Sequence, residues 1–216
     1  NSPPYNIGKI QEREHLIQKN AKDNRVFISY TNMVGGQDEL VFDGRSMLVD
    51  RSGHVIARAK AFEEDLLVSD IALDPVKKAN RSIPAPMPGR ISPLLKNTEE
   101  VYRALLLGLK DYADKNGFKK VAIGLSGGID SALVAALAVD ALGKENVIGL
   151  FMPSRYSSQK SANDAKGLAS NLGIRYEVLS IESVFKAYLA SLEKLFLGRE
   201  SNIAEENLQA RIRGNI

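Results

Sequence analysis

The chain has 216 residues, of which 44% are hydrophobic and 25% charged, and a formal net charge of +3. Those values suit a globular protein of one large or two small domains, and so small a charge gives no argument for a nucleic-acid partner. There is no cysteine, which excludes a disulfide framework, a thiolate metal site and a cysteine nucleophile within these residues and fits a reducing compartment.

No apolar run approaches the ~20 residues that span a bilayer, and no secretory signal opens the chain. A cytoplasmic protein without a membrane partner is therefore expected. The first third then reads mainly as β. One helix is expected around Gln11 to Lys22. Arg25 to Val34 (RVFISYTNMV) is rich in β-formers and runs into Gly35 and Gly36, a turn signal. Ser46 to Asp50 and His54 to Ala59 flank Arg51, Ser52 and Gly53, which predicts a hairpin, and Asp65 to Leu73 (DLLVSDIAL) reads as a further strand.

From Asp74 to Asn97 the composition changes. Pro75, Pro84, Pro86, Pro88 and Pro93 exclude a regular helix or a central strand, so the stretch reads as a linker with a solvated set of basic residues. After it the pattern alternates. Thr98 reads as the N-cap of a helix to Lys115, with Glu99 and Glu100 suited to its first turn. Strand Lys119–Leu125, helix Ser131–Leu142, strand Asn146–Met152, helix Gln159–Leu172, strand Arg175–Ser180 and a helix from Glu182 follow, with a last helical stretch from Ile203 to Ile216. Alternating β and α units predict a doubly wound parallel sheet whose ligands lie beyond the carboxyl ends of its strands.

The most informative segment is Val121 to Ser131 (VAIGLSGGIDS). An apolar strand runs into Ser126, Gly127 and Gly128, and an alanine-rich helix begins directly after them. Two glycines let backbone N–H groups approach a phosphate, and the positive end of the helix favours the same anion. Ser126 and Ser131 add hydroxyl donors. Asp130 is itself anionic, so its natural partner is a cation, most simply Mg²⁺ bridging to phosphate. The string is neither a Walker A loop nor GxGxxG. A glycine turn that merely starts a helix would explain the SGG triplet but not the whole SGGxDS string.

This string resembles the signature of the PP-loop ATP pyrophosphatases, which cleave ATP between its α and β phosphates to adenylate an acceptor oxygen. Further stretches resemble the glutamine-dependent NAD synthetases within that group. Met152 to Ser158 (MPSRYSS), followed by Ser161, Asp164 and Ala165, looks like their second strand-to-helix crossing. Glu205 to Asn215 (EENLQARIRGN) is similar to their dinucleotide-binding segment, and Asn207 and Arg211 lie one turn apart there. Tyr30 to Gly44 (YTNMVGGQDELVFDG) looks like a stretch of their nitrilase-type amidase domain, and Pro4, Tyr5, Gly8 and Lys9 match the segment just after that domain's nucleophile. Where the family commonly has a glutamine-site serine, this chain has Pro3, with Ser2 beside it.

The resemblance implies an α/β chain in two incomplete parts: the end of a nitrilase-type αββα sandwich over 1–73, a linker over 74–98, and the front of a PP-loop synthetase domain over 99–216. It implies ATP binding by Gly124, Leu125, Ser126, Gly127, Gly128, Ile129, Asp130 and Ser131, with Mg²⁺ at Asp130. Deamido-NAD would be held by Asn207 and Arg211, and glutamine by Pro3 and Lys9. The amidase triad would lie before Asn1, leaving no catalytic residue of it in these residues. The implied reaction amidates deamido-NAD to NAD with ammonia from glutamine, in a homo-oligomer that uses small-molecule substrates. Two other readings stay open: another PP-loop amidotransferase such as a GMP synthetase, which lacks a nitrilase-type segment, and an inactive nucleotide-binding module. His15 and His54 have no partners at metal or triad spacing and read as surface residues.

Overall fold

The computed structural model describes residues 3–71, 89–193 and 203–216. The linker reading over 74–88, Ser2 and the end of the expected strand at Leu73 fall outside them. The chain forms two compact units, divided between Asn116 and Gly117.

In the first unit, helix α1 (Lys9–Asn24) buries Ile10, Ile17 and Ala21, a spacing that puts all three on one face. That face meets a three-stranded antiparallel sheet in the order β1 (Ile28–Tyr30), β4 (Met47–Val49), β5 (Val55–Arg58). Ile17, Ala21, Met47 and Val49 form the contact, with Ile28, Tyr30 and Val55 around them. The expected hairpin is present: Asp50 N–H donates to the His54 carbonyl at 2.9 Å, and Asp50 Oδ1 accepts from the Ser52 and His54 amides.

A separate hairpin pairs β2 (Val34–Gln37) with β3 (Leu40–Asp43). Here the structure corrects the sequence reading. Gly35 and Gly36 are not a turn but strand residues facing Phe42 and Val41, and the reversal comes at Asp38, in the left-handed region with φ 51°. Helix α2 (Asn97–Lys115) explains the glycines, since a Cβ on Gly36 would lie 3.2 Å from both Gly108 Cα and Asp111 Cβ. The close approach lets Gly36 N–H donate to Asp111 Oδ2 at 2.7 Å, while Lys115 Nζ donates to the Gly36 carbonyl. Two further expectations fail. Residues 65–71 form no strand, with Leu66 and Val68 exposed and Asp65 instead accepting from the Lys60 amide and Arg90. Thr98 lies inside α2, whose start is flanked by Lys96 with no side-chain cap.

The second unit is the expected parallel sheet. Strands β6 (Val121–Gly124), β7 (Val147–Phe151) and β8 (Arg175–Val178) lie in that order. Helix α3 (Ile129–Leu142) joins the first two, and helix α4 (Gln159–Leu172) joins β7 to β8. Ala135, Ala138, Ala165 and Ala169 are buried, small side chains that let the helices lie close to their neighbours. Beyond β8, α5 (Glu182–Leu192) and α6 (Ile203–Gly214) meet through Phe185, Ile181 and Ile212. The register pairs Gly124 with Leu150 and Phe151 with Val178, so the carboxyl ends of all three strands share one edge. The loops that leave that edge form the site.

Candidate functional site

The first loop follows β6. Leu125 extends the pairing by donating its N–H to the Leu150 carbonyl at 2.8 Å and is buried. The chain then turns through Gly127, whose φ of 80° is left-handed. A Cβ there would lie 2.6 Å from the Ser161 carbonyl oxygen and 2.8 Å from Ser161 Cα, both backbone atoms of α4's first turn. Only glycine fits between the loop and that helix.

Hydroxyls fix the rest of the loop. Ser126 Oγ and Ser131 Oγ lie 3.1 Å apart; Gly128 N–H donates to Ser126 Oγ at 3.1 Å, and Ser131 Oγ donates to the Gly128 carbonyl at 3.0 Å. No side chain caps the start of α3, so its first-turn amides, which have no intrahelical acceptor, remain available to an anion. Ile129 is 80% exposed, so it contributes backbone rather than packing. Asp130 is exposed in that first turn. Among the described residues no group of three His, Asp or Glu side chains could hold a metal ion, so a divalent ion at Asp130 would take most of its oxygens from the ligand's phosphates and water, the usual arrangement for Mg²⁺.

Gly124, Leu125 and Ser126 open into a cavity of about 590 Å³. Ser157, Ser158 and Ser161 add hydroxyls to its wall, and Leu150, Phe151, Met152 and Tyr156 make it partly apolar. Ser158 caps α4 by accepting from the Ser161 amide at 3.0 Å. Arg155, next to Tyr156, is clamped on Glu182 through its own N–H at 3.1 Å and Nη2 at 2.6 Å. That hydrogen bond holds the Glu182 carboxyl below its ordinary range and raises Arg155. The last wall is α6. Arg213 lines the cavity, donates Nε–H to the Met152 carbonyl at 3.0 Å and reaches Gln209 Oε1 at 3.5 Å. Gln209 is buried and also accepts from Ser154 Oγ. Burial pushes the Arg213 guanidinium down from its usual value.

Of the residues singled out in the sequence, Gly124 to Ser131 form one continuous loop and helix start. Asn207 and Arg211 lie exposed on α6 and are not among the residues lining this cavity. Arg213 and Gln209, on the adjoining face of the same helix, are there instead, and sequence reasoning passed them over. Their signal was helical phase: Gln209, Ile212 and Arg213 fall at i, i+3 and i+4, so the buried Ile212 marks the inward face.

A second cavity, of about 300 Å³, lies in the first unit and brings Pro3 and Lys9 together with Tyr5, Glu12, Arg13 and Asp43. Beneath it sits a buried charged network. Arg13 grips Asp43 with two hydrogen bonds of 3.0 and 2.5 Å, and Asn32 Nδ2 donates to the same carboxylate at 3.1 Å. Arg45, 1% exposed, lies 4.0 Å from Asp43 and donates to Glu100 of α2 at 2.5 Å. Burial, and after it the Glu100 charge, pushes the Tyr5 hydroxyl up from its ordinary pKa. Within the stretch singled out as YTNMVGGQDELVFDG, Asn32 and Asp43 thus serve the network and Gly36 serves the seat of α2. His54 lies at the surface, 3.6 Å from Asp50, and His15 is exposed.

Residues 101–216 match the NAD synthase family model, and residues 7–81 match the carbon-nitrogen hydrolase model. The chain is 46% identical to the glutamine-dependent NAD(+) synthetase of Aquifex aeolicus, an alignment that covers 100% of this chain and 42% of that protein. With the enzyme of the same name from Thermotoga maritima the identity is 48%, over 98% of this chain and 41% of that one. The solved glutamine-dependent NAD+ synthetase of Acinetobacter baumannii, in complex with ADP, superposes with a TM-score of 0.87 at 38% identity and covers 100% of this chain and 39% of that chain. The chain thus spans about two fifths of the length of these relatives. It belongs to the NAD synthase family, and its two matches, hydrolase then synthase, give the order of parts found in the glutamine-dependent members.

Proposed function

We propose that this chain supplies the nucleotide site of an enzyme that amidates deamido-NAD to NAD, using ATP and ammonia released from glutamine. The observation that carries the reading is the fit of Gly127 against the Ser161 backbone. It fixes a loop of N–H and hydroxyl donors at the mouth of a cavity large enough for a nucleotide, at the strand edge where such sheets bind ligands. The related Acinetobacter baumannii structure holding ADP supports the same choice of ligand.

In this reading the nicotinate carboxylate of deamido-NAD attacks the α-phosphorus of ATP. The bond to the bridging oxygen breaks and pyrophosphate leaves with the electron pair. Ammonia then attacks the acyl carbon, a proton is lost and AMP departs. Gly124, Leu125, Ser126, Gly127, Gly128, Ile129, Asp130 and Ser131 hold the phosphates through backbone and hydroxyl donors placed before the reaction begins, the arrangement that stabilises developing charge most effectively. Mg²⁺ would rest on Asp130 and on the nucleotide's own oxygens, where it supplies charge neutralisation. Asn207 and Arg211 hold deamido-NAD, and their exposure on α6 suits a substrate that docks onto that helix from outside. Pro3 and Lys9 belong to the glutamine side, which their shared cavity supports.

The division proposed with this function is an amidase part through residue 73, a linker over 74–98 and a synthetase part over 99–216. A cytoplasmic homo-oligomer acting on small molecules completes the reading. Among the described residues no helix is long and apolar enough to cross a membrane. The test is exchange of labelled pyrophosphate into ATP by the intact protein. Exchange that requires both deamido-NAD and Mg²⁺ is expected, and exchange driven instead by a different carboxylate or carbonyl acceptor would move the chain to another adenylating activity.

A further inference from the structure

Helix α6 carries two arginines of opposite phase. Arg211 is exposed, whereas Arg213 turns with Gln209 and Ile212 toward the body of the second unit. Arg213 is the one cationic side chain among the described residues lining the 590 Å³ cavity. A guanidinium has five N–H donors. Its Nε–H is committed to the Met152 carbonyl at 3.0 Å, and Nη2 sits at 3.5 Å from Gln209 Oε1, the outer limit of a hydrogen bond. Among the described residues no carboxylate pairs with it. A partly buried cation without a counter-charge is unfavourable unless a ligand supplies one.

The way it is held matters as much as its charge. Met152 directly follows β7, and Gln209 is fixed by Ser154 from the loop after that strand. The guanidinium is therefore held by two partners before any ligand arrives, and Arg213 lines the cavity that Ser126 opens into. A planar fork with free donors, pinned on one side, suits the paired oxygens of a phosphate better than a point charge would.

We propose that Arg213 is a ligand-binding residue of this cavity, pairing with the anionic phosphates of a nucleoside triphosphate, and that Gln209 is its positioning residue. The assignment rests on the reading of the cavity as the ATP site, and it adds a cation that the loop motif does not contain. It also divides α6 by face: Arg213 serves the triphosphate and Asn207 the dinucleotide.

The test is calorimetric titration of the intact protein with ATP and Mg²⁺, with inorganic pyrophosphate, and with adenosine, in wild type, Arg213→Gln and Arg213→Lys. Arg213→Gln should weaken ATP and pyrophosphate by about tenfold or more, the range for a hydrogen bond to a charged group, and leave adenosine within about twofold. Arg213→Lys should recover part of that loss through its charge alone. Equal ATP affinity in wild type and Arg213→Gln overturns the assignment. An equal loss for adenosine does so too, because Arg213 would then only shape the wall. A measurement on wild type alone avoids any folding defect: phenylglyoxal modification of Arg213, followed by peptide mass, should be blocked by ATP and by pyrophosphate but not by adenosine, and modification indifferent to ATP overturns the proposal. Wild type that binds no ATP at all removes the reading of the cavity and the assignment with it.

Discussion

Replacing Gly127 with alanine adds one methyl group, and the structure says where it must go. At φ 80° the new Cβ would meet the Ser161 carbonyl oxygen at 2.6 Å and Ser161 Cα at 2.8 Å, far inside ordinary van der Waals contact. Both are backbone atoms of a helix turn held by the Ser158 cap, so no side-chain rotation relieves the clash. A left-handed conformation costs a non-glycine residue about 1–2 kcal/mol, and forcing a methyl into filled space costs about 1–3 kcal/mol more. The loop faces solvent at Ser126 and Gly128, so it can escape by leaving its native shape rather than by unfolding the sheet. The total of about 2–5 kcal/mol should therefore appear mainly as weaker ATP binding, roughly 30-fold to several thousand-fold, with a small change in melting temperature. Gly128 is the control. Its φ is −95°, and an added Cβ would approach only the movable Ser126 Oγ, at 3.2 Å. Titration calorimetry and thermal unfolding of both variants decide the matter: native affinity in Gly127→Ala, or equal damage from Gly128→Ala, would show that the fit against α4 does not shape the loop.

Two further predictions concern the first unit. Glu100→Ala removes the close partner of Arg45 in a site where both side chains are almost fully buried, and leaving that charge with only Asp43 at 4.0 Å should cost about 3 kcal/mol in urea unfolding; a loss under about 1 kcal/mol would mean that Asp43 alone satisfies Arg45. Burial opposes the charge of Asp50, but the amides of His54 and Ser52 outweigh it and hold the carboxyl below its ordinary value. The stabilisation is thus fully present above the unfolded pKa of about 4 and is lost as pH falls through the lower folded value. The stability gap between wild type and Asp50→Ala should accordingly narrow from pH 6 to pH 2, and a gap that widens on acidification would contradict that sign.

The second unit was legible element by element, with ends shifted by at most two residues, because its signals are local. The helix expected over Gln159–Leu172 is found with those bounds, between the Ser158 cap and Gly173. The first unit misled wherever the deciding contact was distant. Gly35 and Gly36 look like a turn until α2, more than 60 residues later, is seen to need their missing side chains. The stretch from Asp65 has strand-like composition, yet over 65–71 no neighbour pairs with it. The network of Arg13, Asp43, Arg45 and Glu100 spans separations of 30 and 55 residues in its two tightest links, and nothing in local periodicity announces it.

The site itself was legible as two motifs but not as one device. SGGIDS reads as a phosphate loop, and MPSRYSS with Ser161 reads as a separate strand-to-helix crossing. The structure joins them at one point. Ser158 accepts from the Ser161 amide and so fixes the first turn of α4; the Ser161 backbone then fills the space beside Gly127; and Gly127 sets the turn that brings Ser126 and Ser131 within 3.1 Å. Each step uses backbone or a short hydroxyl, so little side-chain freedom remains to be lost when an anion binds. The second motif is therefore part of what shapes the SGGIDS loop, through the Ser161 backbone. A change that frees the α4 start, such as removing the Ser158 hydroxyl, acts on the loop through Ser161. That coupling is why a reading that scores the two motifs separately undervalues the second.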